Sequence, residues 1–327
     1  MTDTYRAWRL EREDEAGLGA VREQPLAVLR EAGGVLVRGA WAGVNYKDAL
    51  AASRRAKIVR SYPCTLGIEV AGTVEASDDP RFAPGDPVIV HGFGLGADRD
   101  GGFTQYLQAP AEQVVRLPAT LDLQQAGTIG VAGYTAALAI DAMQLNGLVP
   151  GAGPVAVNGA TGGVASIAID MLAGLGFEVH ALTRQPDDGW LRGLGAAQVL
   201  APLAAGKRPL ESARWAGGVD SLGGAALDAL LRTMAQDGVV AAFGNAMGNE
   251  LSTTVLPFIL RGVRLIGIIA NSPMPLRERI WARIGTDLKP RHADAIGQPI
   301  RLDELPRAFE ALLAGQGRGR FVVDLRG

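Results

Sequence analysis

Val157-Asn158-Gly159-Ala160-Thr161-Gly162-Gly163-Val164-Ala165-Ser166 is the stretch on which the fold turns. It follows an apolar run and leads into small, helix-compatible residues. A tight glycine turn between a strand and a helix lets backbone N–H groups approach a pyrophosphate, and the helix start adds partial positive charge. Against the pattern G-x-G-x-x-G, Ala160 holds the first glycine position, Ala165 holds the third, and only Gly162 fits strictly. A glycine-rich turn without a ligand gives a similar string, so the setting decides.

That setting is a series of βα units. Strands are predicted over 155–158, 179–183, 198–200, 219–221, 239–243 and 264–268, with helices over 164–175 and 225–235 among them. Alternating strands and helices imply a parallel, doubly wound α/β sheet, and six strands suit a complete dinucleotide-binding domain. A helix over 126–143 precedes the series. Residues 1–122 read differently, as short apolar stretches between turn signals such as Gly33-Gly34 and Pro84-Gly85-Asp86-Pro87, which predicts a mostly antiparallel β-rich domain. The expected organisation is therefore 1–122, then a Rossmann domain over 123–270, then 271–327. The last part carries helices near 276–287 and 302–314 and a closing strand over 320–325 that returns to the first domain.

Cofactor choice is read at the tip of the second strand of the series. An NAD site usually places Asp or Glu there to bind the ribose hydroxyls. Here the strand ends in Thr183-Arg184-Gln185. Thr183 can hydrogen-bond a 2′-phosphate and Arg184 can pair with it, which favours NADPH.

Composition bounds the rest. The 327 residues are 48% hydrophobic and 20% charged, with a net charge of -2, so no basic field exists for nucleic acid. Aromatics at 6% offer no base-stacking surface. No apolar run reaches the roughly 18 residues of a membrane span, and the start, MTDTYRAWRL, lacks an apolar leader core. A cytoplasmic protein is expected. Cys64 is the only cysteine, which suits a reducing compartment, and it is expected to be a partly buried loop residue without special reactivity.

His91, His180 and His292 lie far apart, so no metal-ligand spacing exists and no metal site is expected. Without a metal, hydrogen bonds must polarise an electrophile and a side chain or water must supply a proton. Asn45-Tyr46-Lys47-Asp48 is the densest cluster of such groups in the first domain. Tyr46 could donate a proton or line a nicotinamide, and Asn45 could bind a ribose or carboxamide. Lys47 and Asp48 could equally form an ion pair at a helix start.

At this point the chain resembles a known family. The residues that carry the resemblance are Asn45-Tyr46-Lys47-Asp48-Ala49-Leu50, Gly67-Ile68-Glu69-Val70-Ala71-Gly72-Thr73-Val74 and Asp79-Pro80-Arg81-Phe82. Further along come Gly130-Val131-Ala132-Gly133-Tyr134-Thr135-Ala136, the motif quoted first, Val219-Asp220-Ser221-Leu222-Gly223-Gly224 and Leu256-Pro257-Phe258-Ile259-Leu260-Arg261-Gly262-Val263. Together they are similar to the zinc-free, quinone-oxidoreductase-like branch of the medium-chain dehydrogenase/reductase superfamily, above all to the acrylyl-CoA reductase family. The resemblance implies a GroES-like β-rich catalytic domain with a Rossmann domain inserted. It implies NADPH held by Thr161, Gly162, Gly163 and Val164, by Thr183, Arg184 and Gln185, by Tyr46, and by backbone near Asn245 and Ile259. It also implies reduction of an enoyl thioester such as acryloyl-CoA, with Tyr46 or water giving the α-carbon its proton.

The chain departs from the family pattern at Leu66, at the loop Gly96-Ala97-Asp98-Arg99-Asp100-Gly101-Gly102, at Gln198 and at Ile269-Ala270. Two of these departures fall where substrate or nicotinamide would lie. A quinone or small-enone reductase on the same scaffold is the first alternative, and an NADPH-binding sensor or structural protein without turnover is the second. Arg54, Arg55, Lys57 and Arg60 could meet the phosphates of a CoA ester, or form an ordinary solvated surface. The apolar strand over 264–269 could pair across a two-fold axis into a homodimer, or serve as an edge strand within one subunit.

Overall fold

The computed structural model describes residues 4–14, 17–31, 33–184, 188–204, 206 and 208–327. The chain leaves one unit, builds a second and returns: Met1–Val131, Asn271–Ala282 and Ala293–Gly327 form the first, and Ala132–Ala270 with Arg283–His292 the second.

The first unit begins with β1 (Thr4–Leu10), β2 (Ala20–Pro25), α1 (Leu26–Glu31), β3 (Val35–Gly43), α2 (Tyr46–Ala52), β4 (Cys64–Thr65), β5 (Glu69–Ser77), β6 (Pro87–His91), β7 (Tyr106–Ala109) and β8 (Val114–Arg116). β1 sits between β2 and β4 in a small antiparallel sheet. β3, β5, β6 and β8 run antiparallel side by side in a larger one. Alternation explains its core: Val35 and Val37, Val70 and Val74, and Val88 and Val90 share one apolar cluster because a strand turns every second side chain to the same face. The link between β5 and β6 is set by turn chemistry. Gly85 takes φ +92° and donates its N–H to the Val74 carbonyl, while the Asp86 carboxylate accepts the Ala83 N–H at 2.8 Å.

Helix α3 (Leu123–Leu145) follows, and it is broken at Gly130, where φ is 41° and ψ -145°. By length and composition it could cross a bilayer, yet 89% of its apolar window is buried inside the fold, as in a core helix.

The second unit contains β9 (Val155–Asn158), α4 (Gly163–Gly174), β10 (Val179–Leu182), α5 (Asp188–Gly193), β11 (Gln198–Leu200), β12 (Trp215–Asp220), α6 (Gly224–Arg232), β13 (Met234–Ala242), α7 (Leu256–Arg261) and β14 (Arg264–Gly267). The strands form a six-stranded parallel sheet in the order β11-β10-β9-β12-β13-β14. This is the doubly wound order of a Rossmann domain, with its reversal between β9 and β12. β12 begins four residues before the predicted start at 219 because Gly217 and Gly218 hide it from an apolar pattern. Both glycines have a packing reason. A Cβ at Gly217 would come within 3.0 Å of the Met143 and Leu148 side chains, and one at Gly218 within 2.9 Å of Leu230.

The return consists of α8 (Met274–Ile284), α9 (Ala293–Ile296), β15 (Gly297–Arg301), α10 (Leu305–Leu313) and β16 (Arg320–Asp324). The helix predicted over 302–314 is split into a 3-10 turn and α10, with a proline in the first helical turn. β16 lies antiparallel to β3 and parallel to β15, extending the large sheet of the first unit. It brings Arg320 against Glu69. Both side chains are fully buried, and Arg320 Nη2 donates to Glu69 Oε1.

Candidate active site

In the second unit the quoted stretch forms the turn from β9 into α4. Gly159 takes φ +61°, and a Cβ there would strike the Ser221 hydroxyl. Gly162 is the N-cap and supplies no side-chain cap. The first intrahelical bond runs from Ser166 N–H to the Gly162 carbonyl, so the N–H groups of Gly163, Val164 and Ala165 have no partner within the helix. Thr161, Gly162, Gly163 and Val164 are partly exposed. A helix start without a side-chain cap can take an anion, and a nucleotide pyrophosphate fits that chemistry.

The neighbouring strand brings Thr183 and Arg184 to the same end of the sheet. Leu182 pairs with Asn158, and Ala160 N–H donates to the Leu182 carbonyl at 3.2 Å. Thr183 is buried and Arg184 is exposed. Gln185 lies outside the described residues. Asn245 is exposed just after β13, with its amide on Asn249. Ile259 is exposed on α7, and its N–H is used inside that helix by the Val255 carbonyl.

One constellation carried no predicted role. Asn158 and Asp220 end β9 and β12, the two strands that flank the reversal of the sheet. Asn158 Nδ2 donates to Asp220 Oδ1, and Gly223 N–H donates to Asp220 Oδ2 at 2.9 Å. Ser221 N–H donates to Asn158 Oδ1 at 2.9 Å, and its hydroxyl to the Asn158 carbonyl at 3.0 Å. Burial pushes the Asp220 carboxyl up, against these hydrogen bonds. The network clamps the crevice where an open α/β sheet binds ligands. The available signal was a polar residue closing each of two otherwise apolar or glycine-rich runs.

In the first unit Asn45 and Tyr46 follow β3 directly. Tyr46 opens α2 with 41% exposure, and its hydroxyl makes no hydrogen bond among the described residues. Asn45 Nδ2 donates to the Gly43 carbonyl at 3.3 Å and to Glu69 Oε2 at 3.4 Å, so this amide is tied into the fold. Lys47 is exposed, while Asp48 turns inward, buried, and accepts the Asn45 N–H at 2.8 Å. The ion pair considered for Lys47 and Asp48 therefore gives way to a helix cap. Burial pushes Asp48 up to about 7, opposed by the Asn45 hydrogen bond and helped by nearby Glu69.

Three further placements differ from, or refine, the sequence reading. Cys64 is fully buried in β4 rather than partly buried in a loop, and burial pushes its thiol up to about 12. Arg54 donates to the carbonyls of Gly17, Arg12 and Ala52, and Arg60 pairs with Asp98 at 3.1 Å. Of the proposed cation group, only Arg55 and Lys57 make no hydrogen bond or ion pair among the described residues. His180 is packed in β10, where its Nδ1 accepts the Trp215 indole N–H at 3.0 Å. Among the described residues no three His, Cys, Asp or Glu side chains converge to hold a metal ion.

The alcohol dehydrogenase GroES-like domain matches residues 31–119. The acrylyl-CoA reductase AcuI of Ruegeria pomeroyi is 43% identical over 328 residues, covering 98% of this chain and 99% of that protein. The yhdH oxidoreductase from Salmonella enterica, solved in complex with NADP, has a TM-score of 0.93 at 39% identity and covers 98% of this chain and 100% of that one. The Bacillus subtilis protein yhfP, solved with NAD bound, has a TM-score of 0.94 at 39% identity and covers 99% and 100%.

Proposed function

We propose the function from one premise, that this chain belongs to the medium-chain dehydrogenase/reductase superfamily, in the zinc-free branch that includes the acrylyl-CoA reductases. It is an NADPH-dependent reductase of an activated carbon–carbon double bond, and its substrate is an enoyl thioester of the acryloyl-CoA kind. The observation that carries this reading is the 43% identity to an acrylyl-CoA reductase, which spans both units.

NADPH, when bound, supplies the reducing equivalent for the β-carbon. The free N–H groups at the start of α4, with the positive end of its dipole, hold the pyrophosphate. Thr183 and Arg184 hold the 2′-phosphate; Gln185, Asn245 and Ile259 complete the cofactor contacts, the last through its carbonyl or side chain. In the first unit the Tyr46 hydroxyl is the available donor, for the thioester oxygen or for the α-carbon. Asn45, held by Glu69, fixes the start of the helix that carries Tyr46. Arg55 and Lys57 are left to meet the phosphates of CoA.

The engagement of Arg54 and Arg60 within the fold favours a second reading, reduction of a quinone or small enone, because such an acceptor needs no cations for phosphates. NADPH oxidation followed with acryloyl-CoA, crotonyl-CoA, a benzoquinone and methyl vinyl ketone separates the two. Turnover greatest with a CoA ester supports the first, and turnover confined to quinone or ketone supports the second. No turnover with any of them would leave a nucleotide-binding protein without catalysis. A homodimer is the assembly suited to β14, an edge strand followed by Ile269 with 73% exposure.

A further inference from the structure

Phe93 stands in a run of three residues that all take left-handed backbone angles: Gly92, Phe93 and Gly94, with φ of 73°, 49° and 78°. Glycine enters that region freely, whereas the Cβ of a bulky residue is crowded there. A third glycine would make the turn without strain, so the ring is kept against a conformational cost. It is not kept for the core. Phe93 is half-buried and stands outside the apolar cluster that holds Phe82, Phe103 and Phe309.

Three side chains, from two separate segments of the first unit, hold this residue. Asn271 Oδ1 accepts the Phe93 N–H at 3.4 Å. Arg99 Nε donates to the Phe93 carbonyl at 3.2 Å, with Nη2 anchored on Gln113 Oε1 at 2.6 Å. The Arg277 guanidinium lies 4.4 Å from the centroid of the ring. Arg277 is itself fully buried on α8 and donates to the carbonyls of His91 at 2.6 Å and Ser272 at 3.3 Å. A desolvated guanidinium binds an aromatic face strongly, which offsets the backbone strain. The amide, the carbonyl and one ring face are thus fixed. Strained residues held in place by several partners concentrate at ligand sites.

The turn also leaves the sheet at a telling place. β5 and β6 are antiparallel with Glu69 opposite His91, so β6 ends where β5 begins. β3, antiparallel to β5, ends there too, with Gly43 donating its N–H to Glu69 at 3.1 Å. Tyr46 follows β3. The strained turn and the candidate proton donor therefore emerge from the same end of one sheet.

We propose that Phe93 is a specificity-determining residue, its ring forming an apolar wall that limits the length of the acyl or alkyl group on the reduced double bond. This rests on the reductase reading above. Phe93→Gly removes the ring and relieves the turn, whereas Phe93→Trp keeps an aromatic wall and enlarges it. The readout is kcat/KM with NADPH for a long and a short acceptor in each of two classes, hex-2-enoyl-CoA against acryloyl-CoA and 1-octen-3-one against methyl vinyl ketone. Phe93→Gly should raise the long-to-short ratio at least about tenfold, the scale on which a pocket reads methylene groups, and Phe93→Trp should not raise it. The melting temperature and NADPH affinity of Phe93→Gly should stay at or above those of the parent. An unchanged ratio, or an equal loss on long and short acceptors, overturns the proposal. Parent enzyme that reduces the ketones but neither CoA ester overturns the thioester reading alone, since the ketone pair still tests Phe93.

Discussion

Arg184 is an exposed cation at the tip of β10, beside buried Thr183 and near the uncapped start of α4. A charged hydrogen bond to a 2′-phosphate is worth about 1.5–3 kcal/mol, less where solvent screens it. Arg184→Ala should therefore weaken NADPH binding roughly tenfold while NADH changes less than about twofold. Fluorescence titration with both nucleotides checks this, and equal small effects would remove the residue from the 2′-phosphate site. Tyr46→Phe should lower kcat by roughly a hundredfold with KM nearly unchanged, the signature of a group needed in the transition state. An undiminished kcat would pass the proton-donor role to water. Asp48 titrates differently in the folded and unfolded chain. Burial raises its carboxyl from an ordinary 3.8 to about 7, beside Glu69 and Arg320. Between those values the folded chain keeps a proton that the unfolded chain has released. Its contribution to stability is therefore full below the unfolded value and is lost as pH rises through about 7. Urea unfolding of the parent and Asp48→Asn at pH about 5 and about 8 reads this: the parent's advantage should be larger at the lower pH. A difference independent of pH would mean that Asp48 is ionised throughout.

Among the elements, α3 departs most instructively from its sequence pattern. Small and apolar residues predict one helix, yet Gly130 breaks it. The reason lies in the buried Glu69–Arg320 pair. Val131 N–H donates to Glu69 Oε2 at 2.5 Å, and the Ile129 carbonyl accepts from Arg320 Nη1 at 3.4 Å. These backbone groups are turned out of the helix to satisfy two buried charges, which would otherwise be very unfavourable. Only glycine fits, since a Cβ at 130 would collide with the Glu69 carboxylate and φ is positive there. Gly130→Ala should cost roughly 3 kcal/mol or more and lower the melting temperature by several degrees in calorimetry. A melting temperature unchanged from the parent would show that the break relaxes without loss. The βα units were far more legible. β9 and β11 match their predicted ranges, and α4 differs by a residue at each end, because apolar strands and glycine turns are local patterns.

At the scale of the molecule, the chain's own signals and its distant pairings divide cleanly. The parallel sheet, the β-rich first part, the glycine turn between β9 and α4 and the placing of Thr183-Arg184 at a strand tip could be read because each depends on periodicity, turn chemistry or charge within a few residues. The family followed from motifs spread along the whole chain. What could not be read were pairings that only folding creates. Glu69 meets Arg320 across 251 residues, Phe93 meets Asn271 across 178, and Asn158 meets Asp220 across 62. The inward turn of Asp48, the burial of Cys64 and the commitment of Arg54 and Arg60 to the fold belong to the same class. By itself the amino-acid order determined the two architectures, the glycine turn that leads into α4 and the candidate donor at Tyr46. Tertiary structure alone decided which charges are buried, which cations stay free and which strained residue is held at the end of the sheet that bears Tyr46. Burial and long-range contact set those outcomes, and neither is a property of a residue's neighbours in sequence.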